Sequence, residues 1–385
     1  MPPRFSSPRP IGDNRRVSHQ VTLQASGKRF PVAVGETVLD AARRAGLALP
    51  YSCLSGVCGS CKATLVSGEC HYPLNPPSAL NPAEVARHQL LLCQAVPRSD
   101  IVVAVREVAS VADIPRRVLP LKLLERQLLA PDVMRLTLQP PHGRAFAYLA
   151  GQYLDVLLPP GRSPSAAEAM DGQERPAGRR RAFSIANAPH LGPTVELHIR
   201  HVAGGDFTHR VFTELKAGDI LRIEGPLGTF VPREHSERPM LFVAGGTGFA
   251  PVKALIEHFL HLGTLRSMHL YWGARAPEEL YLRDLPQRWA AAHSNLRFTP
   301  IVSDAERIGD SGLRSGFVHE AVLEDHPDLS PFDVYMSGPP ALIDAGRRAF
   351  VEAGLPEDRL YYDSFDYAPD VLAQILRARA GIDES

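Results

Sequence analysis

The sequence has no excess of charge of either sign, no long apolar run and few cysteines. Its 385 residues carry 42 basic and 42 acidic side chains, so the formal net charge is zero. Nucleic-acid binding would call for a basic face or stripe, which this balance does not favour. No stretch approaches the roughly 20 apolar residues that a membrane-spanning helix needs, and no apolar segment near the start forms a secretory signal.

The cysteine count bears on the compartment. Five cysteines in 385 residues fit a reducing cytosol better than a disulfide framework, so we expect a cytoplasmic protein. The length predicts two or three domains, on a prior of about 150 residues each. A hydrophobic fraction of 44% and a charged fraction of 22% are ordinary for a globular protein. Residues 1–17 are rich in proline and arginine and are expected to be a disordered lead-in.

The strongest chemical signal is a loop of thiols. Three cysteines stand in a C-x4-C-x2-C array and a fourth follows later in the chain: Cys53, Cys58, Cys61 and Cys93. Gly56 and Gly59 let the loop fold tightly around a central object, because glycine reaches positive φ without a clash. Structural zinc usually takes two C-x2-C pairs, whereas Cys93 stands alone. The pattern resembles the plant-type 2Fe–2S ferredoxins, which implies that these four cysteines hold the cluster.

Residues 18–110 are predicted to form a ferredoxin-type domain around that loop. Two alternating apolar runs joined by a Ser-Gly turn predict a hairpin, and Thr37 then caps a short helix. A hairpin, a helix and a cysteine loop follow in the order of a β-grasp fold. A strand is expected over Leu90–Val96, with Cys93 inside it. Cys70 is expected to be a packed or exposed thiol without a role.

Residues 116–234 change to an all-β pattern. Short strands at regular spacing predict an antiparallel barrel. The segment 159–180 interrupts them, has no periodicity and ends in arginines. We expect a long hairpin loop there, either a tolerated insertion or an element that docks a partner.

A pattern suited to a nucleotide cofactor follows that loop. It consists of Arg181-Ala182-Phe183-Ser184 and, downstream, Gly204-Gly205-Asp206-Phe207-Thr208. An arginine can make a two-pronged contact with a pyrophosphate, an aromatic ring can cover a flat ring system, and a serine hydroxyl can reach a reactive ring nitrogen. The glycine-containing segment, at a helix start, can bind an anion through its amides. Together the two motifs resemble the flavin site of the ferredoxin–NAD(P) reductase superfamily, although Phe183 replaces the usual tyrosine.

This resemblance implies an FAD-binding barrel. The implied flavin contacts are Arg181, Phe183, Ser184, Gly205, Phe207 and Thr208, and Ser184 would face the flavin N5 atom as a catalytic residue. His198, Ile199 and Arg200 lie where members of the superfamily touch the ribityl chain and the phosphates. For His198, an ordinary exposed strand position is the alternative.

Residues 238–367 alternate apolar strands with helices, which predicts a parallel sheet covered on both faces. Gly246-Thr247-Gly248 follows the first strand, where small residues let a pyrophosphate approach helix amides. That run and Ser337-Gly338-Pro339 resemble motifs of the same superfamily, and the second implies contacts near the nicotinamide. Arg275 could attract the 2′-phosphate of NADPH, yet two glutamates, at 278 and 279, follow it closely. We therefore expect NADH, with NADPH less favoured.

The predicted fold class is α+β multidomain. It combines a β-grasp 2Fe–2S ferredoxin, an antiparallel flavin-binding β-barrel and an α/β parallel-sheet NAD-binding domain. Members of the superfamily often end with an aromatic residue near the flavin, which implies a catalytic role for Phe365, with simple packing as the alternative. Residues 368–385 would be a tail with a short helix.

The three parts together predict an electron path. A hydride carries two electrons and the cluster accepts one at a time, whereas a flavin can exchange both, so NADH, FAD and the cluster should act in that order. The domain order resembles reductase components of bacterial mono- and dioxygenases. The runs VAGGTGFAPVKALIEH and YWGARAPEELYL resemble CDP-6-deoxy-Δ3,4-glucoseen reductases more closely. The implied function is an NAD(P)H-dependent oxidoreductase whose acceptor is a CDP-4-keto-6-deoxyglucose-3-dehydrase or, alternatively, an oxygenase component. A redox sensor that does not turn over is the alternative of another class.

Overall fold

The computed structural model describes residues 17–73, 77–108, 111, 114–144, 146–159, 179–307 and 312–365. The expected disordered lead-in, most of the expected long loop and the C-terminal tail lie outside the described residues. The chain divides into two compact units, residues 1–50 with 54–109 and residues 51–53 with 110–385. A three-residue segment of the thiol loop therefore packs with the second unit. No helix in the described ranges is long and apolar enough to cross a membrane.

The first unit is a small mixed sheet with two short helices. Its elements are β1 (Val17–Leu23), β2 (Arg29–Ala33), α1 (Val38–Arg44), β3 (Lys62–Ser67), β4 (Cys70–His71), α2 (Pro82–Ala86), β5 (Gln89–Leu91), β6 (Val96–Pro97) and β7 (Ile101–Ala104). Five strands lie in the order β2-β1-β7-β3-β5, in which only the β1–β7 pair is parallel. The expected hairpin is β1–β2, and the expected β-grasp architecture is confirmed.

Helix α1 begins where the sequence predicts. The Thr37 side chain accepts a hydrogen bond from the Asp40 amide at 3.2 Å. This bond satisfies one of the amides that have no partner within the first turn. Val38 and Leu39 are fully buried, so the cap fixes the register in which the helix meets the sheet.

The strand expected over Leu90–Val96 is shorter than predicted. Strand β5 ends at Leu91, and Cys93 lies in the following turn, where the Gln94 and Ala95 amides both bond to the Leu91 carbonyl. The prediction that Cys93 sits in a strand was therefore wrong. Apolar residues continue through this segment because the turn itself is buried, and a short apolar run does not distinguish the two cases.

The second unit begins with an antiparallel barrel. Its elements are β8 (Arg117–Ala130), β9 (Val133–Gln139), β10 (Tyr153–Leu157), β11 (Arg180–Ser184), β12 (Val195–Arg200), α3 (Asp206–Thr213) and β13 (Ile220–Leu227). The strand order is β11-β10-β13-β8-β9-β12. An antiparallel bridge between Ile185 and Leu197 joins the two edge strands. Side chains that alternate along the strands, such as Leu121 and Leu136, fill the interior.

The rest of the second unit is a parallel α/β sheet. Its elements are β14 (Met240–Gly245), α4 (Phe249–His261), β15 (Met268–Ala274), α5 (Asp284–Ala292), β16 (Leu296–Val302), β17 (Arg314–Ser315), α6 (Val318–Asp325), β18 (Asp333–Gly338), α7 (Pro340–Glu352) and β19 (Leu360–Ser364). The strand order is β17-β16-β15-β14-β18-β19. The chain moves outward from β14 through β15 and later returns to β18 on the other side. Ligands of such sheets bind at this switch point, beyond the carboxyl ends of the strands.

Two details of this sheet differ from the sequence-based prediction. A single helix expected over 277–291 is divided into a short 3-10 turn, Pro277–Glu279, and helix α5. The division occurs because Leu280 and Tyr281 turn into the core. Strands β17 and β19, at the two edges of the sheet, had not been predicted as strands.

Candidate functional site

The thiol loop gathers three buried cysteines in the first unit. Cys58, Cys61 and Cys93 are buried, and no described cysteine forms a disulfide. A hydrogen bond with the Cys93 thiol raises the pKa of the Cys61 thiol, and burial and the nearby Cys58 raise it further. Gly56 and Gly59 have φ values of 81° and 79°. Closely spaced thiols on a loop shaped by glycines fit ligation of an iron–sulfur cluster.

Cys53, the first cysteine of the motif, is half-buried and packs with the second unit. Within the described ranges, no group of three or more His, Cys, Asp or Glu side chains is arranged to hold one metal ion. A cluster with two irons divides its four thiolates between them, and an all-thiol donor set suits iron–sulfur chemistry.

Strand β11 places the predicted flavin residues at the edge of the barrel. Arg181, Phe183 and Ser184 are each half-buried. The ring of Phe183 lies 5.5 Å from the ring of Phe207, with the planes inclined at 45°. Phe207 is buried, so the ring of Phe183 packs against a fixed residue of the barrel core. The structure thus brings together two of the aromatic residues that the sequence assigned to one site.

The start of helix α3, where the sequence predicts an anion site, carries an acid. The Thr208 hydroxyl accepts a hydrogen bond from the Val202 amide at 3.1 Å, which closes the turn before the helix. A Cβ atom on Gly205 would lie 2.8 Å from Thr208 Oγ1, so the turn requires glycine there. Asp206 follows, and its carboxylate is paired with Arg179 at 2.6 Å. Thr208 therefore shapes this turn with its hydroxyl.

Strand β12 holds two predicted flavin residues inside the protein. Ile199 is fully buried in the barrel core. His198 is buried as well, with Nε2 at 2.7 Å from Glu196 Oε1 and Nδ1 at 3.0 Å from the Tyr281 hydroxyl. Burial lowers the pKa of His198, and the Glu196 carboxylate opposes that shift. Both ring nitrogens of His198 thus have partners within the protein.

Arg200, at the end of β12, lies beside the glycine loop that follows β14. Its Nη1 atom is 3.2 Å from Asp132 and 3.3 Å from Glu279. Its Nε and Nη2 atoms are buried and have no hydrogen-bond partner. A Cβ atom on Gly246 would lie 3.5 Å from Nη2. Two donor nitrogens of a cation are therefore available at the loop where a pyrophosphate is expected.

The glycine loop itself is tightly fixed. A Cβ atom on Gly248 would come within 2.0 Å of the Ser337 carbonyl oxygen, so no side chain fits there. The buried Trp272 donates a hydrogen bond from Nε1 to the Gly246 carbonyl at 2.9 Å and stacks on Phe249. Thr247 is half-buried in the same loop. The close approach of β14 and β18 places the two predicted nicotinamide-cofactor motifs side by side.

The turn after β18 carries the remaining predicted nicotinamide contacts. Ser337 is 0% exposed and its hydroxyl has no hydrogen-bond partner. Gly338 is buried, and Pro339 is exposed at the start of α7. The Phe365 amide donates to the Gly338 carbonyl at 2.9 Å. The structure thus joins the C-terminal aromatic residue to this turn, with the Phe365 side chain half-buried.

Arg275, predicted to contact the adenosine end of the dinucleotide, forms an ion pair with a glutamate. Its side chain is 68% exposed and its Nη2 atom is 3.0 Å from Glu279 Oε1. Glu279 is largely buried, and Glu278 pairs with Arg307. The positive charge of Arg275 is therefore balanced locally.

A buried carboxylate that sequence reasoning had not assigned lies in β19. Asp363 is 5% exposed. Its Oδ1 atom accepts a hydrogen bond from Ser52 Oγ at 2.6 Å, and its Oδ2 atom accepts one from Ser184 Oγ at 3.1 Å. Burial raises the pKa of Asp363 to about 6, against the lowering effect of the two hydroxyl donors. The residue predicted to face the flavin N5 atom is thus bonded to an acid that can gain or lose a proton near neutral pH.

Three domain families match successive parts of the chain. They are a 2Fe-2S iron-sulfur cluster binding domain over residues 21–98, an oxidoreductase FAD-binding domain over 120–231 and an oxidoreductase NAD-binding domain over 242–348. The chain is also 39% identical over 349 residues to a CDP-6-deoxy-L-threo-D-glycero-4-hexulose-3-dehydrase reductase of Yersinia pestis, which covers 91% of this chain and 99% of that protein. The chain belongs to the iron–sulfur flavoprotein reductases.

Other relatives of the reductase are named as reductases of oxygenase systems. It is 34% identical over 355 residues to reductase component 2 of terephthalate 1,2-dioxygenase from Comamonas, which covers 92% of this chain and 99% of that protein. A solved cytochrome P450 reductase of Amycolatopsis matches with a TM-score of 0.68 at 32% identity, over 90% of this chain and 98% of that one.

These findings confirm the predicted family, fold class, enzyme class and cofactors. The reductase uses a 2Fe–2S cluster, FAD and a nicotinamide dinucleotide for electron transfer. The individual site residues stay predictions, as do the domain boundaries 18–110, 116–234 and 238–367.

Sequence reasoning missed Ser52, Asp363 and Trp272 in the reductase. Ser52 and Asp363 are far apart in the chain, and no local spacing connects them. The only sequence signal for Asp363 was a single acid within the aromatic run YYDSF. Trp272 acts through its ring nitrogen on a backbone carbonyl, a contact that no motif encodes.

Proposed function

We propose that the reductase takes electrons from NADH and passes them through FAD and the 2Fe–2S cluster to a partner of the CDP-4-keto-6-deoxyglucose-3-dehydrase type. The observation that carries this proposal is the 39% identity, over 91% of this chain, with a reductase named for such a dehydrase. The three cofactor domains support the order of transfer, because a flavin can receive a pair of electrons and release them singly.

The residues present fit these roles. Cys53, Cys58, Cys61 and Cys93 would hold the cluster. The flavin contacts would come from Arg181, Phe183, Ser184, Ile199, Gly205, Phe207 and Thr208, and the nicotinamide dinucleotide contacts from Gly246, Thr247, Gly248, Arg275, Ser337, Gly338 and Pro339. FAD, when bound, supplies a carrier that accepts a hydride and gives up electrons one at a time. No general base is needed for hydride transfer, because its main requirement is the relative position of the two rings.

Three side chains would control the reacting end of the site. Ser184 would lie beside the flavin ring; its hydroxyl donates to Asp363 Oδ2, and Asp363 can hold a proton at that end of the hydrogen bond. Phe365 would cover the flavin face that the nicotinamide must reach. The hydrogen bond that the Phe365 amide donates to the Gly338 carbonyl supports this proposal, since it joins the aromatic residue to the predicted nicotinamide turn.

NADH is the proposed electron donor. Arg275, the residue best placed by sequence to attract a 2′-phosphate, is paired with Glu279 at 3.0 Å. The Glu279 carboxylate already balances the charge of Arg275 and would repel a phosphate that approached this arginine. The test is the ratio of kcat/KM for NADH and NADPH, and a tenfold preference for NADPH would overturn the assignment.

The acceptor is tested by mixing the purified holoprotein and NADH with each candidate partner. We expect turnover with a CDP-4-keto-6-deoxyglucose-3-dehydrase and its sugar-nucleotide substrate. Turnover with an oxygenase component alone would contradict the dehydrase assignment and favour the second candidate. That candidate is supported by the relatives named as oxygenase reductases.

The same preparation separates an electron donor from a redox sensor. Reduction of ferricyanide or cytochrome c by NADH does not require the natural partner. A protein with full flavin and cluster content that reduced neither acceptor would contradict the proposed path.

A further inference from the structure

The segment Tyr51–Cys53 belongs to the second unit, where hydrogen bonds hold its backbone at Tyr51 and at Ser52. The Tyr51 amide donates to Thr229 Oγ1 at 2.9 Å, and the same hydroxyl donates to the Tyr51 carbonyl at 3.0 Å. The Tyr153 hydroxyl donates to the Ser52 carbonyl at 2.8 Å. Each of these partners is buried, and the bonds hold the Tyr51 amide, the Tyr51 carbonyl and the Ser52 carbonyl.

The segment makes a further bond through a side chain. Ser52 Oγ donates to Asp363 Oδ1 at 2.6 Å, and both residues are buried. Hydrogen bonds to a charged acceptor are about twice as strong as neutral ones, and a buried carboxylate that loses a donor carries a large desolvation penalty. The Ser52–Asp363 bond is therefore well suited to resist local displacement.

Asp363 uses its two oxygens for two different residues. Ser184 donates to Oδ2, whereas Ser52 donates to Oδ1. Ser184 is the predicted contact of flavin N5, and Ser52 directly precedes Cys53, the first predicted cluster ligand. One buried carboxylate thus connects the residue predicted to contact the flavin ring with the residue before a predicted cluster cysteine.

We propose that Ser52 is a positioning residue for electron transfer from flavin to cluster, acting through its hydrogen bond with Asp363. This inference rests on the proposed function, in which electrons pass between those two cofactors. Transfer between fixed carriers depends on their separation, so a cysteine segment that is held at a defined position keeps the rate high. The Ser52 side chain touches neither substrate nor acceptor in this role.

The first test is Ser52→Ala, studied in the holoprotein without any partner. After rapid mixing with NADH, we expect flavin reduction at the wild-type rate and cluster reduction slowed by roughly fivefold or more, because a hydrogen bond to a charged group is lost. Ser52→Thr keeps the hydroxyl and should restore the rate. Ser26→Ala, the same change in an exposed turn of the first unit, is the matched control and should leave both phases unaltered.

Two further measurements do not depend on turnover. Amide hydrogen exchange at Tyr51 should become faster in Ser52→Ala, and the EPR line shape of the chemically reduced cluster should change, while flavin content stays at the wild-type level. A substitution with a merely general effect on folding would lower cofactor content and leave the line shape of the remaining cluster unaltered.

A second variant provides the test if the Ser52→Ala protein cannot be obtained with its cluster bound. Tyr153→Phe removes the bond to the Ser52 carbonyl without changing the cysteine loop, and it should slow cluster reduction in the same selective way. Wild-type rates and Tyr51 exchange in both variants, or failure of Ser52→Thr to restore the rate, would overturn the inference. Failure of the wild-type protein to reduce its flavin with NADH would instead count against the proposed function.

Discussion

Replacement of Arg200 by glutamine tests which cofactor this side chain serves. The sequence resemblance implies a contact with the flavin, whereas the structure places two unpartnered guanidinium nitrogens beside Gly246. A hydrogen bond from a charged donor contributes about 1.5–3 kcal/mol, so Arg200→Gln should raise KM for NADH by roughly 10- to 150-fold. We expect kcat to change little, since binding of the dinucleotide phosphates is remote from the hydride.

The structure also indicates that this variant should fold. Glu279, which loses Arg200, keeps Arg275 at 3.0 Å and Arg307 at 3.7 Å. Asp132 is partly exposed and can be hydrated. Arg210→Gln, which removes an exposed arginine paired with Glu214, is the matched control.

The assay is steady-state reduction of ferricyanide at varied NADH, together with the FAD content of the purified proteins. Arg200→Lys should fall between wild type and Arg200→Gln, because lysine keeps the charge but loses the planar fork. An unchanged KM for NADH with a loss of bound FAD would refute the reasoning and would return Arg200 to the flavin site.

Three other changes should have measurable effects. Trp272→Phe keeps a ring but loses the donor to the Gly246 carbonyl, so KM for NADH should rise about fivefold at unchanged FAD content; an unaltered KM would argue against a role in fixing the loop. Ser337→Ala removes a buried hydroxyl without a partner and should stabilise the protein by about 1 kcal/mol in chemical denaturation, whereas a loss of stability would reveal a partner. Burial, and then the nearby His326, lower the pKa of His269 from 6.5 to about 4. As pH falls, His269 is therefore protonated in the unfolded chain before it is protonated in the folded protein. The free energy of unfolding should decrease by about 2 kcal/mol between pH 7.5 and pH 5. His269→Asn should lose correspondingly less, and equal pH dependence in the two proteins would disprove this origin.

Much of the fold was predictable because each domain has its own periodicity. Alternating residues predicted the barrel strands other than β11, and the fully apolar β14 predicted a buried parallel strand. The Thr37 cap was predicted from its residue type, with Asp40 three residues later and Gly46 at the end of the helix. The errors arose where burial did not follow secondary structure, as in the apolar turn that holds Cys93 and in the turn that buries Leu280.

The candidate site was likewise predictable in some parts and not in others. Motifs with a fixed spacing, such as the cysteine array and the glycine loop after β14, were visible in the sequence. Contacts that join distant segments were not, and the Ser52–Asp363 bond is the clearest case. Arg200 shows a third situation, in which the resemblance implies a flavin contact and the structure locates the residue beside the glycine loop after β14.

The grouping of residues 51–53 with the second unit has a consequence for protein engineering. A chimera that exchanges the first 109 residues for those of another reductase also exchanges Ser52, and with it one donor to Asp363. If the incoming chain lacks a hydroxyl at that position, the buried carboxylate of the recipient is left with one donor fewer. Successful exchange of electron-output modules should therefore depend on one residue beside the first cysteine as well as on the choice of the linker.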